Sequence, residues 1–187
     1  EGYEVSDWVK NLAEKGQTFY KVNEEGQSTF VNKDSGEYSK IPGQDSFIIL
    51  DNIRKNRTLW SNSEAAIQDL GDGIINFEIK SKMNSLGGCV LDGLNRAIDL
   101  AEKEYDGLVI ANQGANFSVG ANLAMIMMMA VDQDWDDLNM AINYFQKSMM
   151  RVRFSSIPVV VAPFGINLVG RCEMTMHGDS VVAAGDT

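Results

Sequence analysis

Two short stretches of this chain hold the residue types that acyl chemistry requires. In the first, Ser156 to Asp179, the β-branched run Ile157 to Val161 reads as a buried strand. Pro163 and Gly165 end that strand, and Gly170 stands at the start of a helical pattern, Cys172 to His177. The first N–H groups of a helix have no partner within it and point at whatever lies in front. Glu173 falls in the first turn. A strand, a glycine turn, a helix start and one carboxylate together can stabilise an oxyanion and move a proton. The second stretch, Asn116 to Leu123, follows a strand at Gly107–Ala111 and precedes an apolar helix. Two such turns can each offer one N–H to the same carbonyl oxygen. The plainer alternatives stay open at this point: Gly170 as a simple helix-start glycine, Asn116 to Leu123 as a turn without a ligand, and Glu173 as a solvated surface carboxylate.

Other reactive side chains lead to blander readings. His177 lies four residues after Glu173 and shares its helix face. It is the only histidine, and no further ligand stands at metal spacing, so a packed or hydrogen-bonded ring is expected rather than a metal site. Cys172 has no base nearby in sequence and reads as core packing. Asn122 precedes an apolar segment and can cap it. Met125, Met127, Met128, Met129, Met140, Met149 and Met150 form a plastic apolar wall, either core or channel lining, with core the safer expectation.

The elements that must position these residues follow an α/β pattern. Gly73–Ile79, Gly107–Ala111, Ile157–Ala162 and Ser180–Ala184 read as strands. Leu91, Leu94, Ile98 and Ala101 share one face of a helix that ends near Tyr105. Leu138, Ile142, Phe145, Met149 and Val152 share a face of a longer one, Asp136 to Phe154. Alternating strands and helices predict parallel pairing with crossover helices over residues 71–187. Residues 1–70 read as an appendage. Val5, Trp8, Val9 and Leu12 fall at helical spacing ahead of Gly16, and hairpin patterns around Asn23–Gly26 and Lys33–Gly36 follow.

Composition narrows the function classes. An apolar fraction of 44% over 187 residues is enough for a core, and a net charge of −10 disfavours nucleic-acid binding. The longest apolar run, Leu123 to Val131, is too short to span a bilayer, and no signal-peptide pattern opens the sequence. Cys89 and Cys172 are scattered, which suits a reducing compartment and a cytoplasmic location.

With these residues in view, the chain resembles the crotonase (enoyl-CoA hydratase/isomerase) family. Phe117-Ser-Val-Gly-Ala-Asn122 is similar to the family turn Phe-Ser-Ala-Gly-Ala-Asp, and Pro158 to Glu173 is similar to its Pro-Val-Ile-Ala-Ala segment ending Gly-Gly-Gly-Cys-Glu. The resemblance implies a spiral of ββα units. It also implies an oxyanion hole from the backbone N–H groups of Val119 and Gly170, and Glu173 as the acid/base. CoA contacts would come from Lys82, Asn84, Ala121 and Asn122. The implied reaction is hydration of a trans-2-enoyl-CoA in fatty-acid β-oxidation, with no cofactor, no metal and the CoA thioester as substrate. Alternatives are double-bond isomerisation or an inactive acyl-CoA-binding module. Val169 and Arg171 stand where the family has glycines. The family's second glutamate and its C-terminal helices, which build trimers, would lie beyond Thr187, so a C-terminally truncated piece of a longer protein is expected. Gly2-Tyr-Glu-Val5, Trp8-Val-Lys10 and Gly16 to Tyr20 resemble the tail of a 3-hydroxyacyl-CoA dehydrogenase, which points to a fusion of the two activities.

Overall fold

The computed structural model describes residues 2, 4–44, 47–165, 170–185 and 187. The chain divides into two compact units, Glu1–Asn56 and Arg57–Thr187. In the first, helix α1 (Asp7–Glu14) buries Leu12, and Trp8 meets Phe19 edge-on at 5.6 Å. Gly16 follows α1 at φ 62°, a left-handed turn that glycine adopts without strain. Val5 lies ahead of α1 and is exposed, so it is not part of the expected helical face. Strands β1 (Tyr20–Val22), β2 (Ser28–Val31) and β3 (Tyr38–Lys40) pair antiparallel in that order, as the hairpin patterns predict. Helix α2 (Leu50–Arg57) closes the unit, with Leu50 and Ile53 buried.

The larger unit is built on six strands: β4 (Thr58–Ser61), β5 (Ala65–Gly71), β6 (Ile74–Ile79), β8 (Gly107–Ile110), β10 (Val159–Val161) and β11 (Ser180–Val181). Their order across the sheet is β11-β10-β8-β6-β5-β4. The pairs β6–β8, β8–β10 and β10–β11 are parallel, as expected; β4–β5 and β5–β6 are antiparallel, which was not. The expected appendage boundary after residue 70 falls inside β5. Ala65 and Ile67 are fully buried members of the core, so residues 58–70 belong to the sheet and not outside it.

Why β5 reads poorly as a core strand is visible in its register. Gln68 lies opposite Asn76, and Ala66 opposite Glu78. These polar side chains are buried and bond to one another: Gln68 Nε2 donates to Glu78 Oε2 at 2.6 Å, and Asn76 Nδ2 donates to Gln68 Oε1 at 3.0 Å, while Asn76 Oδ1 is buried without a partner. On the other face Ile67, Ile75, Phe77 and Ile79 join the apolar core with Val90, Leu94 and Ile98 of helix α3 (Gly88–Glu104). A side chain at Gly93 would come within 2.9 Å of Ala65 Cβ and 3.1 Å of Phe77, so α3 approaches the sheet through this glycine.

Two short parallel strands, β7 (Ser85–Leu86) and β9 (Gly120–Ala121), form a separate ladder. Helix α4 (Leu123–Val131) follows β9, α5 (Trp135–Arg153) leads back to β10, and α6 (Gly170–His177) connects β10 to β11. On α5, Met149 and Val152 are buried. Side-chain bonds lock α5 to α3: Tyr144 Oη donates to Asp92 at 2.5 Å, Asn95 Nδ2 to Ser148 Oγ at 2.9 Å, and Arg151 to Asp99 at 2.5 Å.

Candidate active site

The chain leaves β8 into the first of the two turns. Asn112, buried just past the strand end, accepts from the Ile79 N–H at 2.7 Å and donates to the Phe117 carbonyl at 2.5 Å. One amide thus ties the end of β6 to the turn. Asn84 donates to the Asn116 carbonyl at 2.9 Å, and the Ser118 hydroxyl donates to the Asn84 carbonyl. Ser118 Oγ also accepts from the Gly120 N–H at 3.1 Å. Gly120 has φ 85°, a left-handed conformation in which a β-carbon is strained.

The second turn leaves β10 and lies beside the first. The Phe117 N–H donates to the Phe164 carbonyl at 3.3 Å, and the two rings meet edge-on at 6.2 Å. Gly165, at φ 63°, leaves room for Asn116: a β-carbon there would stand 3.3 Å from its Oδ1. Gly170 is the first residue of α6 and is buried. A β-carbon on it would lie 3.1 Å from Phe145 Cζ and 3.7 Å from the Ala121 nitrogen. The start of α6 is therefore pressed between the α5 ring of Phe145 and the backbone of β9. Val169 lies outside the described residues, as does the side chain of Arg171.

Beside this junction is a cavity of about 390 Å³. Four of the expected site residues line it: Ala121, Asn122, Gly170 and Glu173. Glu173 is exposed and is the one carboxylate among the described lining residues. The rest of the wall is mostly apolar, from Leu86 and Leu91, Met125 and Ile126 of α4, and Leu138, Ala141, Ile142 and Phe145 of α5. Asn122 also caps α4, accepting from the Met125 N–H at 3.3 Å, which is the capping role expected of it. Val119 does not line the cavity; it is 40% exposed, one residue before β9. Lys82 and Asn84 sit in a turn of 3-10 helix (Lys82–Asn84) ahead of β7; Lys82 is exposed, and the Asn84 amide is spent on the first turn.

The methionines divide differently from expectation. Met149 alone of those seven is in the core, and Met125 lines the cavity. Met127, Met128, Met140 and Met150 are exposed, because α4 buries none of its residues and α5 turns only one stripe inward. The ring of His177 bonds through Nδ1 to the Glu173 carbonyl at 2.6 Å, the hydrogen-bonded role expected for it. Cys172 is half-buried. Among the described residues no group of three or more His, Cys, Asp or Glu is arranged to hold a metal ion, and no helix is long and apolar enough to cross a membrane.

Sequence reasoning missed Asn112, Phe145 and Phe164, which hold the site together from other elements. Phe145 was assigned to the inward face of its helix, but that spacing does not reveal Gly170 as its neighbour.

The backbone arrangement decides the kinship. Over 68% of this chain and 48% of its own, a crystal structure of an enoyl-CoA hydratase/isomerase from Xanthobacter autotrophicus superimposes with a TM-score of 0.59 at 25% identity. The chain has the crotonase fold. The resemblance drawn from Phe117–Asn122 and Pro158–Glu173 is thereby borne out, together with the α/β class. A Bacillus subtilis protein named "Probable 3-hydroxyacyl-CoA dehydrogenase" is 35% identical over 186 residues, 99% of this chain and 23% of that protein. A Rickettsia felis protein named for a trifunctional enzyme of the fatty acid oxidation complex is 30% identical over 147 residues, 79% of this chain and 20% of its own length. The chain thus spans less than a quarter of the length of each of these two relatives. No protein-family model matches it.

Proposed function

We propose that this crotonase-type chain supplies the oxyanion hole and one acid/base carboxylate of an enoyl-CoA hydratase acting in fatty-acid oxidation. The observation that carries the reading is the convergence of Gly170, Ala121 and Glu173 on one apolar cavity, from two turns bound to each other through Phe117 and Phe164. In this reading the thioester carbonyl oxygen accepts from the N–H groups of Val119 and Gly170, and charge that develops on it in the transition state is stabilised by those two donors. Water adds across the double bond, its oxygen to the β-carbon and a proton to the α-carbon. Glu173 handles a proton in that addition. Lys82, Asn84, Ala121 and Asn122 flank the CoA moiety. The reaction uses no cofactor or metal, since the CoA thioester is the substrate, and the cytoplasm is its proposed place.

A second reading, double-bond isomerisation, is favoured by one observation: Glu173 is the one carboxylate lining the cavity among the described residues. A single carboxylate can lift a proton from one carbon and return it to another. The two readings separate when the full-length protein is given trans-2- and trans-3-enoyl-CoA. Hydration removes the ultraviolet absorbance of the conjugated thioester from the trans-2 substrate. Isomerisation of the trans-3 substrate creates that absorbance. Gain from the trans-3 substrate with no loss from the trans-2 substrate would replace the hydratase reading with the isomerase one; no change with either would refute both.

A further inference from the structure

The turn that carries Val119 is gripped from a neighbouring segment, and that grip bears on catalysis, an inference that rests on the acyl-CoA reading above. In that reading Val119 gives one N–H to the thioester oxygen. Among the described residues this N–H meets no acceptor, while the groups on either side of it are taken. The Ser118 hydroxyl accepts from the Gly120 N–H at 3.1 Å, so one side chain bridges the residues before and after Val119. The same hydroxyl donates to the Asn84 carbonyl, and Asn84 Nδ2 donates to the Asn116 carbonyl at 2.9 Å. Asn84 thus holds the turn with its backbone and its side chain together. The next residue, Ser85, pairs with Gly120 in the β7–β9 ladder. Ser118 is 1% exposed, so water does not compete for its bonds. The backbone is bent to make this grip: Asn84 has φ 54° and Met83 has φ 57°, a left-handed region that residues other than glycine occupy at a cost. Asparagine tolerates it best of these. Met83 is 67% exposed, so burial of its own side chain does not offset the cost. Neither Asn84 nor Ser118 lines the cavity.

We propose that Asn84 and Ser118 are positioning residues for the reaction: they aim the Val119 N–H at the thioester oxygen without touching the substrate. The contribution of such a donor depends on its alignment with the oxygen. Without the Ser118 hydroxyl, the Gly120 N–H loses its acceptor and the peptide between Ser118 and Val119 is free to turn. Without the Asn84 amide, the Asn116 carbonyl is released and the turn loses its tie to the segment before β7. Two substitutions remove one group each. Asn84→Gly deletes the amide alone, because glycine takes the left-handed backbone without strain and keeps the carbonyl that Ser118 uses. Ser118→Ala deletes the hydroxyl and little volume.

The test takes three readouts on the full-length protein and each variant. Calorimetry with butanoyl-CoA, which is saturated and does not react, gives Kd and the number of intact sites. Turnover of whichever enoyl-CoA the wild type uses gives kcat per intact site. Infrared difference spectra of bound, isotope-labelled butanoyl-CoA give the stretching frequency of the thioester carbonyl, which falls when donors are aimed at its oxygen. Each variant should lose roughly 10- to 100-fold in kcat, short of the ~100- to 1,000-fold of a donor removed outright. Kd should change by less than about threefold, because the aimed donor matters most once charge develops in the transition state. The carbonyl frequency should move back toward that of the free ligand. The double variant should lose within about threefold of the more damaged single one, since both side chains act through one peptide. Fewer intact sites with unchanged kcat per site and an unchanged carbonyl frequency would show a purely structural role and overturn the proposal. Weaker binding by Asn84→Gly with unchanged kcat would place that side chain on the CoA instead and likewise overturn it. If one variant does not fold, the other decides. A wild type that binds no acyl-CoA would bring down the reading beneath the inference, and the inference with it.

Discussion

Substituting Gly170 by alanine separates the site's geometry from its stability. The residue is buried at the first position of α6, and its φ is not in the left-handed region, so the backbone accepts alanine. The added methyl would lie 3.1 Å from Phe145 Cζ, closer than the ~3.5–4.0 Å of an ordinary carbon contact, so the ring must retreat by about half an ångström. Overpacking of this kind costs about 1–3 kcal/mol. Alanine recovers up to ~1 kcal/mol of helix propensity, less at a terminal position. The net loss is therefore about 0–2 kcal/mol, a fall in Tm of no more than about 8 °C for a chain of this size. The effect on catalysis should be larger. The same methyl stands 3.7 Å from the Ala121 nitrogen, two residues past Val119, whose N–H is proposed to share the thioester oxygen with that of Gly170. Displacing that oxygen from one donor costs on the order of 100- to 1,000-fold in kcat. Thermal unfolding and turnover of trans-2-enoyl-CoA, measured side by side, check both halves. Wild-type turnover within about threefold, with Tm little changed, would refute the placement of the oxyanion beside Gly170.

Asn112→Ala should be among the more damaging single changes at the site, because it strands the buried Ile79 N–H and Phe117 carbonyl together. A loss of about 2–4 kcal/mol is expected, measurable by denaturant unfolding; a change below about 0.5 kcal/mol would show that neither group depends on it. For Tyr144, burial chiefly, with the hydrogen bond to Asp92 adding to it, raises the phenol's pKa above its ordinary value. The sign follows: the neutral phenol's contribution is complete below pH ~10 and is lost as the pH rises through the raised folded value. Tyr144→Phe should therefore lower stability by about 0.5–1.5 kcal/mol at neutral pH, and the gap from wild type should narrow in strongly alkaline solution. Unfolding curves across that range check it; a gap that widens instead would contradict the protonated donor.

The parts of the fold legible in the sequence are those in which one physical pattern dominates. The β-branched runs that became β8 and β10 have no competing reading, and the stripe Leu91, Leu94, Ile98 and Ala101 buries as written. β5 was hidden because one of its two buried faces carries Gln68, which pairs across the strands with Asn76 and Glu78, a partnership that only the register creates. The two turns were legible because glycine marks them. Their mutual contact was not, since Phe117 meets Phe164, and Gly170 meets Phe145, across long stretches of chain. Apolar character likewise misled at the methionines of α4, where a helix without a polar face remains exposed in this chain.

The central claim, that Glu173 moves the proton in a thioester reaction at this cavity, is tested most directly by Glu173→Gln in the full-length protein. Turnover of trans-2-enoyl-CoA and binding of a saturated acyl-CoA are measured on the same preparation. Glutamine keeps the size and hydrogen bonding of the side chain and removes only the proton-accepting carboxylate. The account predicts a fall in kcat of at least roughly 100-fold with acyl-CoA affinity nearly unchanged, because the proposed donors are backbone groups. Hydration at near wild-type rate by the glutamine variant would contradict it.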